Sequence, residues 1–408
     1  MENRTVIVIG GGPAGLMACM RLSERVKKVI LIEKNNILGK KLRITGKGRC
    51  NITNSADMED FIKNVPTNGK FLYSAFYSFT NRDVIDMFEK SGVKTKVERG
   101  GRIFPESDSA KDVADAMKKN ALRSNVDWIK AEAKEILTDG EKVFGVLTDK
   151  GKFEGDSVII ATGGRSYPLT GSDGMGYKMC QALGHTLIEP KPSLIPIVTH
   201  EKWVANLMGL SLKNVELKVI KKGKKEIFTD FGEMLFTHFG ISGPIVLSAS
   251  SHMKNVDREE YEIKIDLKPA LEREQLDKRI CRDFEKYIRK QLINSLDDLL
   301  PKALIPVVID LAGLDPRKSV NIITKEERGK LVEIIKGLSL TVKGFRPIDE
   351  AIITSGGIKV SEINPQTMES KLISGLYFAG EIIDVDAYTG GFNLQIAFST
   401  GYLAGENA

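Results

Sequence analysis

The chain has 408 residues, 60 basic and 54 acidic, for a formal net charge of +6. That length carries two or three domains with real cores, and so mild a balance gives nucleic acid no electrostatic footprint. Four scattered cysteines, Cys19, Cys50, Cys180 and Cys281, exclude a disulfide framework or a zinc site, and the sequence shows neither a membrane-length apolar run nor a cleavable leader; a cytoplasmic protein is expected.

The first predicted element is a strand, Val6 to Ile9, whose β-branched run suits a parallel sheet covered on both faces. It breaks into Gly10, Gly12 and Gly15, at G-x-G-x-x-G spacing, and continues through Pro13 and Ala14 into a helix from Leu16 to Glu24. Gly10 permits the tight turn, Gly12 lets backbone approach a pyrophosphate, and Gly15 lets the helix pack closely on the strand. The unpaired amides at the helix start then face the phosphates. A second strand, Lys28 to Ile32, ends in Glu33 about 20 residues further on, where an acidic side chain accepts hydrogen bonds from a ribose. A dinucleotide is expected here.

Residues 39 to 54, G-K-K-L-R-I-T-G-K-G-R-C-N-I-T-N, read as a long ordered loop facing a ligand. Lys40, Lys41, Arg43, Lys47 and Arg49 are candidates to neutralise phosphate, and Gly46 and Gly48 permit close backbone approach. Asp108 to Leu122 carries the spacing of an amphipathic helix. Residues 128 to 161 read as strands with turns at Asp139-Gly140 and Lys150-Gly151, ending in S-V-I-I-A-T-G-G. Small residues at such a strand end, Ala161, Thr162 and Gly163, suit backbone passing beside a cofactor.

Pro190, Pro192 and Pro196 mark a boundary. Short β-rich runs follow, at Leu194 to Thr199, Val215 to Ile220, Glu226 to Phe228 and Tyr261 to Leu267. The basic run Lys221 to Lys225 reads as a solvated hairpin tip. A helical stripe is predicted through Leu276, Ile280, Phe284, Ile288, Leu292 and Leu296. Another helix follows from the capping box Thr324-x-x-Glu327, burying Leu331, Ile334, Ile335 and Leu338. From about Gly344 the cofactor-like vocabulary returns. T-S-G-G-I is followed by the strand G-L-Y-F-A-G-E, then Asp384 and Asp386, and Gly390-Gly391 opening a helix near Asn393 to Leu403. Gly380, Glu381 and Asp384 are expected near a ribityl chain. The amides after Gly391 are expected to face a flavin carbonyl. A metal reading of Asp384 and Asp386 is set aside, because nothing completes an oxygen-ligand set.

Together these stretches resemble the BaiN/aminoacetone-oxidase-like family of bacterial NAD(P)/FAD-dependent oxidoreductases, the YhiN-like flavoproteins. The resemblance rests on G-G-G-P-A-G, G-K-K-x-x-x-T-G-K-G-R-C-N-x-T-N, A-T-G-G-x-S-Y-P-x-T-G-S-x-G, F-T-H-F-G-I-S-G-P, T-M-E-S-K and G-L-Y-F-A-G-E-x-x-D-V-D. It implies an α/β fold: a glutathione-reductase-type Rossmann FAD domain (residues 1–190 and 343–408) interrupted by an insertion at 191–342. The insertion is expected to be β-barrel-like over 191–268 and helical over 269–342. The resemblance places FAD phosphates at Gly10 to Gly15 and the adenosine ribose at Glu33 and Lys34. Along the remaining cofactor it places Lys41, Gly46, Gly48, Arg49, Cys50 and Asn51, with Gly391, Phe392, Asn393 and Gln395 beside the flavin. Three departures stand out: Thr45 for serine, Ala387 for glycine and Phe392 for tyrosine.

The leading expectation is an FAD-dependent oxidoreductase acting on a small molecule between the FAD domain and the insertion. NAD(P)H-linked reduction of a conjugated C=C, in an enone or bile-acid-like compound, is the first version. Oxygen-dependent oxidation of an amine or amino-ketone is the alternative, and an RNA-associated flavoprotein or a flavin-storing scaffold stands in another class. Gly171-x-x-Gly174-x-Gly176 has the wrong order for a second fingerprint, so NAD(P)H is expected only as a transient visitor. For acid–base work the candidates are His238, Tyr167 and Tyr388. Cys50 shows no partner for thiol redox chemistry.

Overall fold

A computed structural model describes residues 2–223 and 225–408. The chain divides into two compact units, Met1–Ser193 with Ile348–Ala408, and Leu194–Pro347.

The first unit is built on a five-stranded parallel sheet. Strand β1 (Glu2–Ile9) lies between β2 (Val26–Glu33) and Ser157–Ile160; Val126–Lys130 and Leu376–Phe378 form the two edges. Val6, Ile7 and Val8 are completely buried, as a strand covered on both faces requires. Helix α1 (Pro13–Leu22) runs back along the sheet, and the C-terminal helix Phe392–Asn407 packs against it. Small residues make that packing close: a Cβ on Gly401 would lie 2.3 Å from the Ala14 carbonyl oxygen. A three-stranded meander, Ala133–Thr138, Val143–Thr148 and Gly151–Glu154, precedes the strand that ends at Ala161-Thr162-Gly163. Its turns hold Gly140 and Gly151 at φ +103° and +112°, conformations that favour glycine.

Pro190 and Pro192 stand just ahead of the division between the units, at Ser193 and Leu194. They lie in the strand Leu187–Ser193, paired antiparallel with Ile353–Ile358 in a two-stranded ladder. The register shifts between Ile188 and Lys191, and an irregular edge is where a strand tolerates residues without an N–H.

The second unit holds a closed barrel of six strands: Ile197–Thr199, Gly240–Ser242, Glu226–Thr237, Ser211–Lys221, Tyr261–Asp266 and Leu338–Phe345. The last of these corrects the division into a β-rich and a helical half. Leu338, read as the end of a helical stripe, opens the closing strand, because the helix Lys325–Lys336 stops at Gly337. From there Leu338 and Leu340 alternate with exposed Ser339 and Thr341, a period of two. Upstream, the helix Arg273–Lys286 also ends earlier than its stripe suggested: Ile288 is exposed, while Leu292 and Leu296 are buried from outside it. The capping box at Thr324 and Glu327 is formed. At the basic hairpin, Lys221 and Lys222 pair with Glu259 and Glu260, while Lys224 lies outside the described residues.

The first unit also carries a buried polar clip. His185 Nδ1 lies 3.2 Å from Glu362 and its Nε2 2.9 Å from the Ser370 hydroxyl, which also accepts from the amides of Leu372 and Ile373. Burial holds the His185 imidazole below its ordinary pKa, against the pull of Glu362. A depressed folded-state value means that the unfolded chain takes up the proton first. Stability should therefore fall as pH drops through about 6.5, the ordinary histidine range. Thermal melts from pH 8 to 5 should show this loss in the natural protein and a flatter profile in His185→Gln.

Candidate functional site

The glycine turn is shaped by steric necessity at two positions and left open at a third. A Cβ on Gly15 would lie 1.8 Å from the Gly10 carbonyl oxygen, and one on Gly10, at φ +107°, 2.4 Å from that of Ala161. A Cβ on Gly12 would meet nothing within 4 Å. Gly12 is also the N-cap of α1, Pro13 follows at the first turn, and no side chain caps the helix. The turn thus leaves the first amides of α1 without a side-chain cap and with open space at Gly12, the arrangement that receives an anion.

Glu33 sits at the end of β2 beside this turn. One of its oxygens accepts from the Gly11 amide at 2.8 Å; the other accepts from the backbone and side-chain amides of Asn35, each at 2.7 Å. Asn35 therefore fixes the carboxylate that a ribose would meet, a role the sequence did not disclose. Glu33→Ala should weaken FAD binding by about 1–3 kcal/mol, the worth of a charged hydrogen bond. Flavin fluorescence titration checks this.

Lys34 pairs with Asp173 at 2.6 Å, and Lys40 Nζ donates to the Leu169 carbonyl at 2.6 Å. Lys41 donates to Ser166 Oγ and to Glu381. Glu381 gathers partners from three separate segments. Beyond Lys41 at 2.8 Å, it accepts from the Thr354 amide at 2.9 Å, the Thr354 hydroxyl at 3.0 Å and Ser166 at 3.3 Å. Gly380 stands next to it, and a Cβ there would come 2.8 Å from the Cβ of Ala14, so this junction abuts the start of α1. Asp384 is buried and bonded to Asn68; burial first, and then neighbouring Asp386, raise its pKa. Asp386 accepts from the hydroxyls of Ser193 and Ser355.

The loop at 46–51 is contorted: Gly46, Lys47, Gly48 and Cys50 all have positive φ. For Lys47 and Cys50 this is strained backbone of the kind that collects at ligand sites. Arg49 does not offer its charge to a phosphate, because Glu98 and Asp108 already hold it. Arg43 is likewise paired, with Asp115. Burial pushes the Cys50 thiol up to about 12, which leaves it inert. Three polar atoms among the predicted residues are buried without any partner: Arg43 Nε, Asn51 Oδ1 and Thr162 Oγ1. All three residues belong to the segments assigned to a cofactor, and the two oxygens fit a bound polar ligand.

At the C-terminal helix, Gly391 is the N-cap, at φ +98°, and a Cβ there would lie 2.3 Å from the Thr53 carbonyl. Phe392 is buried edge-on to Phe61. The Asn393 side chain turns back onto Ala387 and Tyr388. Gln395 is fully buried, donating to the Phe79 carbonyl and Ser399 and accepting from Thr53. Its side chain holds the fold together, which corrects its assignment to the flavin.

The three acid–base candidates fall on different segments of the chain. Tyr167 is in the left-handed region at φ +52°, with the Lys41 ammonium 6.0 Å from its ring. Tyr388 donates its backbone amide to the Asn64 carbonyl just ahead of Gly390-Gly391. His238 is exposed in the tight turn between two barrel strands of the second unit.

Comparison with known proteins supplies the family. The model of the HI0933-like protein Rossmann domain matches residues 4–407. Over 407 residues the chain is 31% identical to a 3-dehydro-bile acid delta(4,6)-reductase of Clostridium scindens, covering 98% of each protein. It is 30% identical over 407 residues to a ribosomal RNA dihydrouridine synthase of Haemophilus influenzae, covering 97% of this chain and 96% of that one. In fold it resembles the 3-ketosteroid delta1-dehydrogenase of Sterolibacterium denitrificans, with a TM-score of 0.52, 11% identity and 99% of each chain covered. Among the described residues no helix is long and apolar enough to cross a membrane. With a family match along almost its whole length, the chain belongs to the HI0933-like family of Rossmann-type FAD-dependent oxidoreductases.

Proposed function

We propose that this protein reduces a C=C bond conjugated to a carbonyl in a small organic substrate, with NAD(P)H as a transient hydride source. The observation that carries the reading is similarity along the whole chain to a delta(4,6)-reductase of a 3-dehydro-bile acid. A bound flavin supplies hydride transfer to the β-carbon of such a substrate. The chain's own residues bind and orient the substrate, hydrogen-bond its carbonyl, deliver the proton that the α-carbon takes up, and exclude water. Tyr388, in the loop that opens the C-terminal helix, is the candidate donor, ahead of Tyr167 and of His238 on its exposed turn.

The nicotinamide cofactor is read as a visitor for a structural reason. The helix Met175–Ala182, which follows Gly171 and Gly174 and contains Gly176, has its first amide bonded to Asp173 Oδ1 at 3.1 Å. A carboxylate at a helix start repels a phosphate, so this segment makes a poor second cradle. Four free cysteines agree with a reducing, cytoplasmic setting.

A second reading has the same bond chemistry in another substrate class. The relatives named ribosomal RNA dihydrouridine synthases, from Haemophilus influenzae and Escherichia coli, favour a uracil ring within RNA, whose C5=C6 bond is also conjugated to a carbonyl. The test is anaerobic incubation with NADH or NADPH plus either a 4,6-dien-3-one steroid or unmodified ribosomal RNA, with products read by mass spectrometry. Saturation of the steroid supports the first reading and dihydrouridine the second. Turnover of neither, with an amine oxidised in a parallel aerobic incubation, removes both.

A further inference from the structure

We propose that Asn51 reads the imide edge of the flavin, accepting the N3–H through its side-chain oxygen. The proposal rests on the flavin reading of the cradle and goes further, by assigning one atom of the cofactor to one atom of the chain.

The start of the C-terminal helix can satisfy only part of that edge. The Gln395 amide makes the first intrahelical bond, to the Gly391 carbonyl, so the amides of Phe392, Asn393 and Leu394 have no partner within the helix. No side chain caps this end, and its first turn holds no acidic residue. The Asn393 side chain, which could have capped it, is turned back onto Ala387 and Tyr388. Such an end offers donors alone. A flavin imide presents the sequence acceptor, donor, acceptor: two carbonyls with an N–H between them. Helix amides suit a carbonyl but oppose the N–H, so a separate acceptor has to stand beside them.

Asn51 is placed to be that acceptor. Two residues on, the Thr53 carbonyl lies where a Gly391 side chain would go. One further on, Asn54 Nδ2 donates to the Gly390 carbonyl at 3.0 Å. The segment carrying Asn51 is thus fastened to the helix start on which the imide would rest. Its backbone is held as well: Ile52 is fully buried and donates to the Ile103 carbonyl, and Cys50 is fixed in the left-handed region at φ +61°. Asn51 Oδ1 is buried with no hydrogen-bond partner. A buried acceptor left unpaired is costly, and a bound N–H removes the cost. Of the other orphans among the predicted residues, Thr162 Oγ1 belongs elsewhere, since it lies 2.0 Å from where a Cβ on Gly176 would stand, and Arg43 Nε is a donor that cannot accept an N–H.

The experiment compares FAD with N3-methyl-FAD, which lacks the donor, by flavin fluorescence on apoprotein of the natural chain, Asn51→Leu and Asn51→Asp. The natural protein should bind FAD about tenfold or more tightly than the methylated form, the equivalent of one hydrogen bond. Asn51→Leu should lose about tenfold for FAD and bind both forms equally; Asn51→Asp, which keeps an acceptor, should retain the preference. Equal binding of both cofactors by the natural protein overturns the proposal, as does an undiminished preference in Asn51→Leu, which would mark a purely steric effect. Should Asn51→Leu fail to fold, Asn51→Ala, which also lacks the acceptor, makes the same comparison. Failure of FAD itself to bind the natural protein would instead remove the cradle reading.

Discussion

Gly12→Val is expected to give a protein that folds normally and binds no FAD. The apoprotein should tolerate the change because a Cβ at residue 12 meets nothing within 4 Å and the backbone there, at φ −79°, suits any residue. What the valine occupies is the open space at the start of α1, where a pyrophosphate has to lie against bare backbone. FAD affinity should drop by at least about a hundredfold, or roughly 3 kcal/mol. The melting temperature of apoprotein should stay within about one or two degrees of the natural chain, as for other harmless surface changes. Titration with FAD and a thermal melt of the same stripped sample check both halves. A variant that still binds FAD tightly would place the dinucleotide somewhere else.

Gly15→Ala, three residues along, should do the opposite and damage the fold itself. Its Cβ would lie 1.8 Å from the Gly10 carbonyl oxygen, and neither partner can yield easily. Gly10 is locked against Ala161 on one side and donates its amide to the Ile32 carbonyl on the other. A single methyl group therefore has to push α1 away from β1, at a cost of about 3 kcal/mol or more. For a unit of this size that is a drop of roughly 6–12 °C in melting temperature. Calorimetry of apoprotein measures it, and an unchanged melt would show that α1 does not pack as closely as described. One glycine of the motif is thus kept for the ligand and another for the fold.

The parts of this architecture that were legible in the sequence are those written in consecutive residues. Val6 to Ile9, the glycine turn, Glu33 and the strand running into Ala161-Thr162-Gly163 each announce themselves within a few positions. The barrel was harder to read, because its strands do not all look like strands. Glu226–Thr237 is a single twelve-residue strand, yet Asp230, Gly232 and Glu233 interrupt its apolar pattern, and only its first three residues were recognised. Leu338 has helical spacing from Ile334 and Ile335, and its role in barrel closure follows from where the neighbouring helix stops.

Within the site, residue type was informative and pairing was not. Arg49 looks like a phosphate ligand until Glu98 and Asp108, distant in sequence, are seen to hold it. Gln395 looks like a flavin contact until Thr53, Phe79 and Ser399 use its whole amide. Ser166 and Thr354 converge on Glu381 from segments far apart in the chain. The orphaned oxygen of Asn51 is a property of an environment, and no local pattern records it.

The central claim is that the β1–Gly12–α1 turn of this chain holds FAD, and the absorption spectrum of the freshly purified protein tests it most directly. The protein should be yellow, and heat or acid should release a non-covalent flavin that chromatography and mass spectrometry identify as FAD. FMN in its place, or a colourless protein that refuses FAD on reconstitution, would contradict the account.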